Sequence, residues 1–270
     1  MAKSAAQIKA EAKRNQMMKT AEGSRVKKLI GIVSGKGGVG KSLVSGLITS
    51  AMRKEGYSVG LIDADITGPS IPKMFGSEHI TKATEHGMLP SVTESGIKIM
   101  SLNLLMQEDT EPVIWRGPIL GQVVQQFWSE VDWGDIDVMF LDMPPGTGDV
   151  PLTIYQTLPV DGIVIVTTPQ DLVGMIVEKA VHMAEMMEIP VLGVVENMSY
   201  LKCPHCSEEI PVFGISNVEQ RATHLGTAVA GRLPIDPSFA AKCDSGQVEE
   251  IDTSYLAPLV TKIKEMLSQG

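Results

Sequence analysis

Cysteine is scarce in this chain: three in 270 residues, an odd number, which excludes the disulfide framework of a small secreted domain. Long uncharged runs are absent too. The longest stretch without Asp, Glu, Lys or Arg is residues 117–129, thirteen residues, against the roughly 20 that a membrane-spanning helix needs. The basic N-terminus has no apolar stretch of the signal-peptide kind. Cations are outnumbered, 23 against 32 carboxylates, for a net charge of −9, which argues against general nucleic-acid binding but not against a local basic patch. Residues 26–270 show no internal repeat and no low-complexity linker. The expectation is a soluble cytoplasmic protein with no nucleic-acid partner and no transmembrane segment.

What is present, 43% hydrophobic and 20% charged residues, suffices for a large core. Charge is uneven. Residues 1–28 hold eight cations against Glu11 and Glu22, so this segment is +6 and the remainder −15. Residues 1–25 read as a flexible basic arm, since 4–18 are rich in Ala, Lys, Gln and Met with few apolar anchors. From 26 to 270 short apolar runs (29–33, 58–62, 138–141, 162–167, 191–195, 227–230) alternate with helix-length segments such as 41–54 and 172–187. That alternation predicts one α/β domain, a doubly wound, mostly parallel sheet with helices on both faces. Residues 76–112, with Gly87, Pro90, Gly96 and Pro112, read as a hairpin or loop insertion.

The sharpest motif is Gly35-Lys36-Gly37-Gly38-Val39-Gly40-Lys41-Ser42, which fits G-x-x-x-x-G-K-[ST] between a predicted strand and a predicted helix. Small residues let backbone N–H groups close around phosphate oxygens, and the following helix aims its positive end at them. Lys41 supplies a cation for the β- and γ-phosphates, and the Ser42 hydroxyl can ligate Mg²⁺. Asp63 and Asp65 end the second predicted strand. Asp142 ends the run 138–141, the position from which a carboxylate holds Mg²⁺, and leads into Pro144-Pro145-Gly146-Thr147-Gly148. Asp65 is the candidate for orienting the attacking water, with Asp63 and Asp142 nearer the metal. Lys36 is redundant in an ordinary P-loop. With Gly37-Gly38 it resembles the deviant Walker A motif of the nitrogenase iron protein, MinD and ParA superclass. That resemblance implies a homodimer in which Lys36 reaches the partner's nucleotide.

Cys203-Pro204-His205-Cys206 is the second chemical signal; about 0.02 such pairs are expected by chance at this cysteine content. Three readings stand side by side. A redox dithiol wants its first Cys at a helix N-terminus, whereas Glu208, Glu209, Ile210 and Pro211 read as a knuckle or hairpin. An inert pair is the plain reading. A metal site needs four ligands, and this chain offers two, with Cys243 alone and no His at ligand spacing. Two chains meeting at a two-fold axis would complete a Cys₄ set for a [4Fe–4S] cluster or Zn²⁺.

Taken together, the P-loop, Asp63-Ala64-Asp65-Ile66-Thr67-Gly68-Pro69-Ser70, Trp115-Arg116-Gly117-Pro118, Asp142-Met143-Pro144-Pro145-Gly146-Thr147-Gly148-Asp149, Glu196-Asn197-Met198-Ser199 and Cys203-x-x-Cys206 resemble the Mrp family of iron–sulfur cluster carrier ATPases, also called the Nbp or ApbC type, over about residues 25–265. The resemblance implies an ATPase, slow without a partner, that holds a [4Fe–4S] cluster at a homodimer interface (Zn²⁺ in aerobic preparations) and delivers it to apo iron–sulfur proteins. It also implies adenine contact by Asn197 and a base pocket lined by 233–237, Pro234 included. Three departures count. Leu43 stands where Thr is usual, removing a side-chain contact to the α-phosphate; Thr67 stands where many relatives have Cys; and the four-cysteine N-terminal site and extra N-terminal domain of other relatives are missing, as in the minimal form common in archaea. The rival is a MinD- or ParA-like positioning ATPase. Residues 255–267 place Leu256, Leu259, Val260, Ile263, Met266 and Leu267 at helical spacing, but with Lys262 and Lys264 as the only cations a core-packing helix is expected over a membrane-binding one. Met183, Met186 and Met187 are expected to fill the core.

Overall fold

An apolar run without polar alternation is satisfied only where helices cover both faces of a sheet, and the computed structural model arranges the runs in that way. It describes residues 16–65, 70–77, 83–84, 87–105, 117–170 and 172–269. The strands are β1 (Arg25–Ser34), β2 (Val59–Asp63), β3 (Ala83–Thr84), β4 (Gly87–Met88), β5 (Ser91–Val92), β6 (Lys98–Ser101), β7 (Asp135–Asp142), β8 (Gly162–Thr167), β9 (Val191–Lys202), β10 (Glu209–Ile210) and β11 (Val229–Pro234). Nine of them form one sheet in the order β5-β6-β2-β7-β1-β8-β9, with β11 beside β9 and β10 on the far end of β9. Pairing is parallel throughout except β5–β6 and β9–β10.

The helices are α1 (Lys41–Lys54), α2 (Ile71–Met74), α3 (Gly117–Ser129), α4 (Asp149–Thr157), α5 (Leu172–Met186), α6 (Val218–His224), α7 (Pro237–Asp244) and α8 (Ala257–Ser268). Two apolar layers hold them to the sheet. Leu29 and Val33 of β1, Met139 and Leu141 of β7, and Ile163 and Ile165 of β8 face one layer, with Phe127 and Trp128 of α3 and Ile154 of α4. The alternate residues Ile30, Ile32, Val138, Phe140, Val164 and Val166 face the other, with Val44, Leu47 and Ile48 of α1 and Leu259 and Ile263 of α8. Each such large side chain, fully covered, stabilises the fold by about 1.5–3 kcal/mol. Strand order reverses around β1, so the crevice that open α/β sheets use for ligands lies at the carboxyl ends of β1, β2, β7 and β8.

Several expectations are adjusted. The strand read at 227–230 runs instead from Val229 to Pro234, because Gly226 turns the chain at φ 66° and the Thr227 N–H still bonds the Ala222 carbonyl at the end of α6. Part of the presumed insertion belongs to the sheet: Lys98–Ser101 pairs parallel with β2, a strand too short and too polar at its ends to announce itself. Met183 and Met187 do pack on the core, but Met186 is 76% exposed. Of the segment read as an arm, residues 1–15 lie outside the described residues. Further on, the Met18 N–H bonds the Thr157 carbonyl, Trp128 Nε1 bonds the Met18 carbonyl, and Ala21 is buried. Leu259, Val260 and Ile263 of α8 are buried, so its apolar stripe is used by the core as expected. Among the described residues no helix is long and apolar enough to cross a membrane.

Candidate functional site

The loop between β1 and α1 has the form its glycines dictate. Gly38 and Gly40 both take φ 78°, a region costly to a residue with a Cβ. No side chain caps the N-terminus of α1, which carries no acidic residue in its first turn. Its free N–H groups and positive end therefore face the crevice. A Cβ on Gly37 or Gly38 would meet nothing within 4 Å, which marks the outer rim of the loop as open. The Ser34 carbonyl accepts from the Gly146 N–H at 2.8 Å, tying the Pro144–Gly148 loop to the P-loop.

Below the loop, three charged groups converge. Lys41 is 5% exposed, with Nζ 2.8 Å from Asp142 Oδ1 and 3.4 Å from Asp65 Oδ2. Both contacts are ionic, so the buried ammonium is charge-paired with two carboxylates at the mouth of the loop. Asp142 also accepts from Ser42 Oγ at 2.7 Å and from Ser45 Oγ at 2.6 Å. Asp63, the register partner of Asp142 across β2 and β7, accepts from Ser101 Oγ at 3.0 Å and from the Asp65 N–H at 3.1 Å. Asp63 thus shapes the turn that carries Asp65.

Burial, and then the neighbouring Asp142 charge, raise the Asp63 carboxyl from 3.8 to about 8, against the lowering pull of Lys41, Ser101 and the Asp65 N–H. A folded value above the unfolded one means stability that is whole below about pH 4 and lost as pH rises toward 8, because only the folded state resists the charge. Denaturation midpoints of the nucleotide-free protein should therefore carry a downward contribution between pH 5 and 8, which Asp63→Asn removes. Identical slopes for the two proteins over that window would contradict it.

Lys36 does not enter its own crevice. Its Nζ donates to Gln170 Oε1 at 2.8 Å, in the loop after β8. Leu43 packs half-buried against the core. Asn197, 2% exposed, donates from Nδ2 to the Val39 carbonyl at 2.9 Å. Buried Pro234 ends β11 opposite Tyr200 of β9. Thr67, Trp115 and Arg116 lie outside the described residues.

The cysteine pair sits at the end of β9, where the chain turns back into β10, so of the knuckle or hairpin expected from the sequence the hairpin is the form found. The Cys203 N–H bonds the Glu208 carbonyl and the Ser207 N–H bonds the Cys203 carbonyl, both at 2.9 Å. Both thiols are free, Cys206 exposed and Cys203 partly so. The N–H groups of Cys206 and His205, and then the Cys206 thiol, hydrogen-bond the Cys203 sulfur and hold its thiol below the usual range. No helix N-terminus is present to support the dithiol reading. Among the described residues no three His, Cys, Asp or Glu gather as a metal set. Cys243, in α7, is half-buried, and burial pushes its thiol up.

A family model described as ParA, the NUBPL iron-transfer P-loop NTPase, matches residues 25–268. The chain belongs to that family of iron-transfer P-loop NTPases. An iron-sulfur cluster carrier protein of Clostridium perfringens is 46% identical over 252 residues, covering 90% of this chain and 87% of its own. A nucleotide-binding protein of Archaeoglobus fulgidus, solved in complex with ADP, is 36% identical with a TM-score of 0.75, over 90% of this chain and 92% of its own. The cell division ATPase MinD of Pyrococcus furiosus, at 18% identity and a TM-score of 0.63 over 89% and 99% of the two chains, shares the fold. Within this NTPase, Ser45, Ser101 and Gln170 are site residues that motif reading missed. Ser45 lies one helical turn beyond Ser42, a spacing that places both hydroxyls on one face; Ser101 comes from β6 and Gln170 from the loop after β8, and neither carries a local signal.

Proposed function

We propose that this iron-transfer NTPase carries a [4Fe–4S] cluster between the Cys203–Cys206 pairs of two protomers, delivers it to apo-proteins and hydrolyses ATP in doing so. The observation that carries the reading is the hairpin: two accessible cysteines, one with a lowered thiol, at the tip of the strand whose middle, at Asn197, touches the P-loop. Two thiolates leave a four-coordinate site half filled, and a two-fold axis supplies the rest. The cluster is cargo, so exposure of its ligands suits release. The relatives named as iron-sulfur cluster carriers support the same role.

For ATP, the loop N–H groups and α1 hold the phosphates, Lys41 faces the β- and γ-oxygens, and Asp65 orients water toward the γ-phosphate. Ser42 with Asp142 fits a magnesium ion, since hydroxyl and carboxylate already converge; such an ion neutralises charge on the β- and γ-oxygens when bound. Asn197 and Pro234 would contact the adenine base. Lys36, held by Gln170 in the protomer, is the residue that reaches the partner's nucleotide in the dimer, so Lys36→Ala retains nucleotide but loses nucleotide-dependent dimer contacts. The decisive experiment is iron and sulfide per dimer after anaerobic reconstitution. About four of each per dimer is expected; one metal in every monomer overturns the reading.

A further inference from the structure

One buried carboxylate has no part in the chemistry above. Glu196 of β9 is 0% exposed and accepts from Ser199 Oγ at 2.5 Å and from Ser216 Oγ, with Arg232 Nε 3.9 Å away. Ser199 belongs to the same strand. Ser216 lies 20 residues on, beyond the cysteine hairpin. Glu196 is therefore the point where the outgoing and returning ends of the cysteine-bearing excursion are fastened together. Its neighbour Asn197 holds the Val39 carbonyl of the P-loop, and a Cβ on Gly40 would come within 2.1 Å of its Nδ2. Between these contacts and Ser199, Met198 is forced to φ 55°. A side chain in that region is strained and persists only where its surroundings over-determine it. The β9–β11 register slips at the same place, from Arg232 opposite Glu196 to Pro234 opposite Tyr200.

We propose that this 196–199 bulge transmits the position of the nucleotide loop to the cysteine hairpin, with Asn197 as the contact that follows the loop and Glu196 as the positioning residue that clamps the hairpin's two ends. The proposal rests on the nucleotide and cluster readings above. Its physical chain is short. Phosphate oxygens that recruit the loop N–H groups shift the backbone at Val39. The buried Asn197 amide follows, because a buried donor that loses its acceptor is left desolvated and unpaired. Glu196 is covalently next to it and moves with it, and Ser216 carries the displacement to the return strand. Beyond the bulge, residues 200–202 of β9 are held by pairing to β11 and β10, so a displacement entering at Glu196 and Ser216 is taken up by the turn between the paired strands, and the thiol surroundings there change.

The test uses the metal-free, reduced full chain and reads alkylation of the Cys203 peptide by iodoacetamide, with and without a saturating non-hydrolysable ATP analogue and Mg²⁺. In the parent protein the nucleotide should change the rate about fivefold or more, the usual scale of coupling between two sites. Ser216→Ala should reduce that change to under about twofold while calorimetric nucleotide affinity stays at the parent value, and Ser216→Thr should restore it. A merely structural role would lower the melting temperature without separating the two readouts. Should Ser216→Ala fold poorly, Glu196→Gln carries the same expectation. A Ser216→Ala protein that responds like the parent, or a parent thiol indifferent to saturating nucleotide, overturns the proposal. If calorimetry finds no nucleotide binding in the parent, the nucleotide reading falls and this proposal with it. Failure of the cluster reading would show separately, in the iron content.

Discussion

Lys41→Ala should abolish Mg-ATP turnover to within the background, a loss of about 10²–10³ or more, and should weaken the protein at the same time. In the proposed site the catalytic loss follows from removing the cation assigned to the β- and γ-phosphates, where charge is redistributed during transfer. The second loss comes from what lies behind it. Lys41 is buried against Asp142 at 2.8 Å, with Asp63 alongside. Removing one partner of a buried pair leaves an uncompensated charge, at a cost of about 3–5 kcal/mol. The two effects separate in the double variant Lys41→Ala/Asp142→Asn, which should regain much of the stability and none of the turnover. Denaturant titration and phosphate release measure the two halves. Parent-like nucleotide affinity and turnover in Lys41→Ala would remove the P-loop assignment. Asp65→Asn provides the contrast: it should retain nucleotide and lose hydrolysis, and a parent rate would move the water-orienting role to residues 146–149.

Cys206→Ser should lose the reconstituted cluster entirely and shift the protein toward monomer, whereas Cys243→Ser should do neither. If each protomer gives two thiolates, loss of one leaves two in four ligand positions replaced at the axis, and the remaining pair cannot hold the cluster. On the proposed bridging arrangement dimer and cluster disappear together, because the cargo would itself be part of the contact. Cys243 is half-buried in α7, away from the hairpin, and its thiol is pushed up by burial rather than activated. Iron analysis with sedimentation of the reconstituted protein checks both. Metal retained one per monomer in Cys206→Ser would sink the bridging site.

The two kinds of observation divide along a physical line. Chemistry that is local in the chain was legible as sequence. The P-loop announces itself because its φ 78° glycines, its lysine and its helix start are consecutive, and phosphate binding needs them consecutive. The strands β1, β7 and β8 are legible because burial on both faces demands uninterrupted apolar residues. The C-x-x-C pair is legible because a hairpin turn brings nearby thiols together. The resemblance of the joined motifs then gave the family.

The contacts between segments came only with the tertiary structure. Asp63 and Asp142 are 79 residues apart and become partners through parallel register, which no run of residues encodes. Ser101 reaches Asp63 from a strand whose four residues show no clear apolar run. Asn197 meets Val39 across 158 residues, and Ser216 meets Glu196 across the hairpin. Sequence by itself determined which chemistry the chain carries: a phosphate loop, strand-end carboxylates and a thiol pair. Tertiary structure decided how these are wired, because hydrogen bonds from Ser and Asn to carboxylate and carbonyl acceptors act over about 3 Å and only the packing of the sheet brings such distant positions within that reach.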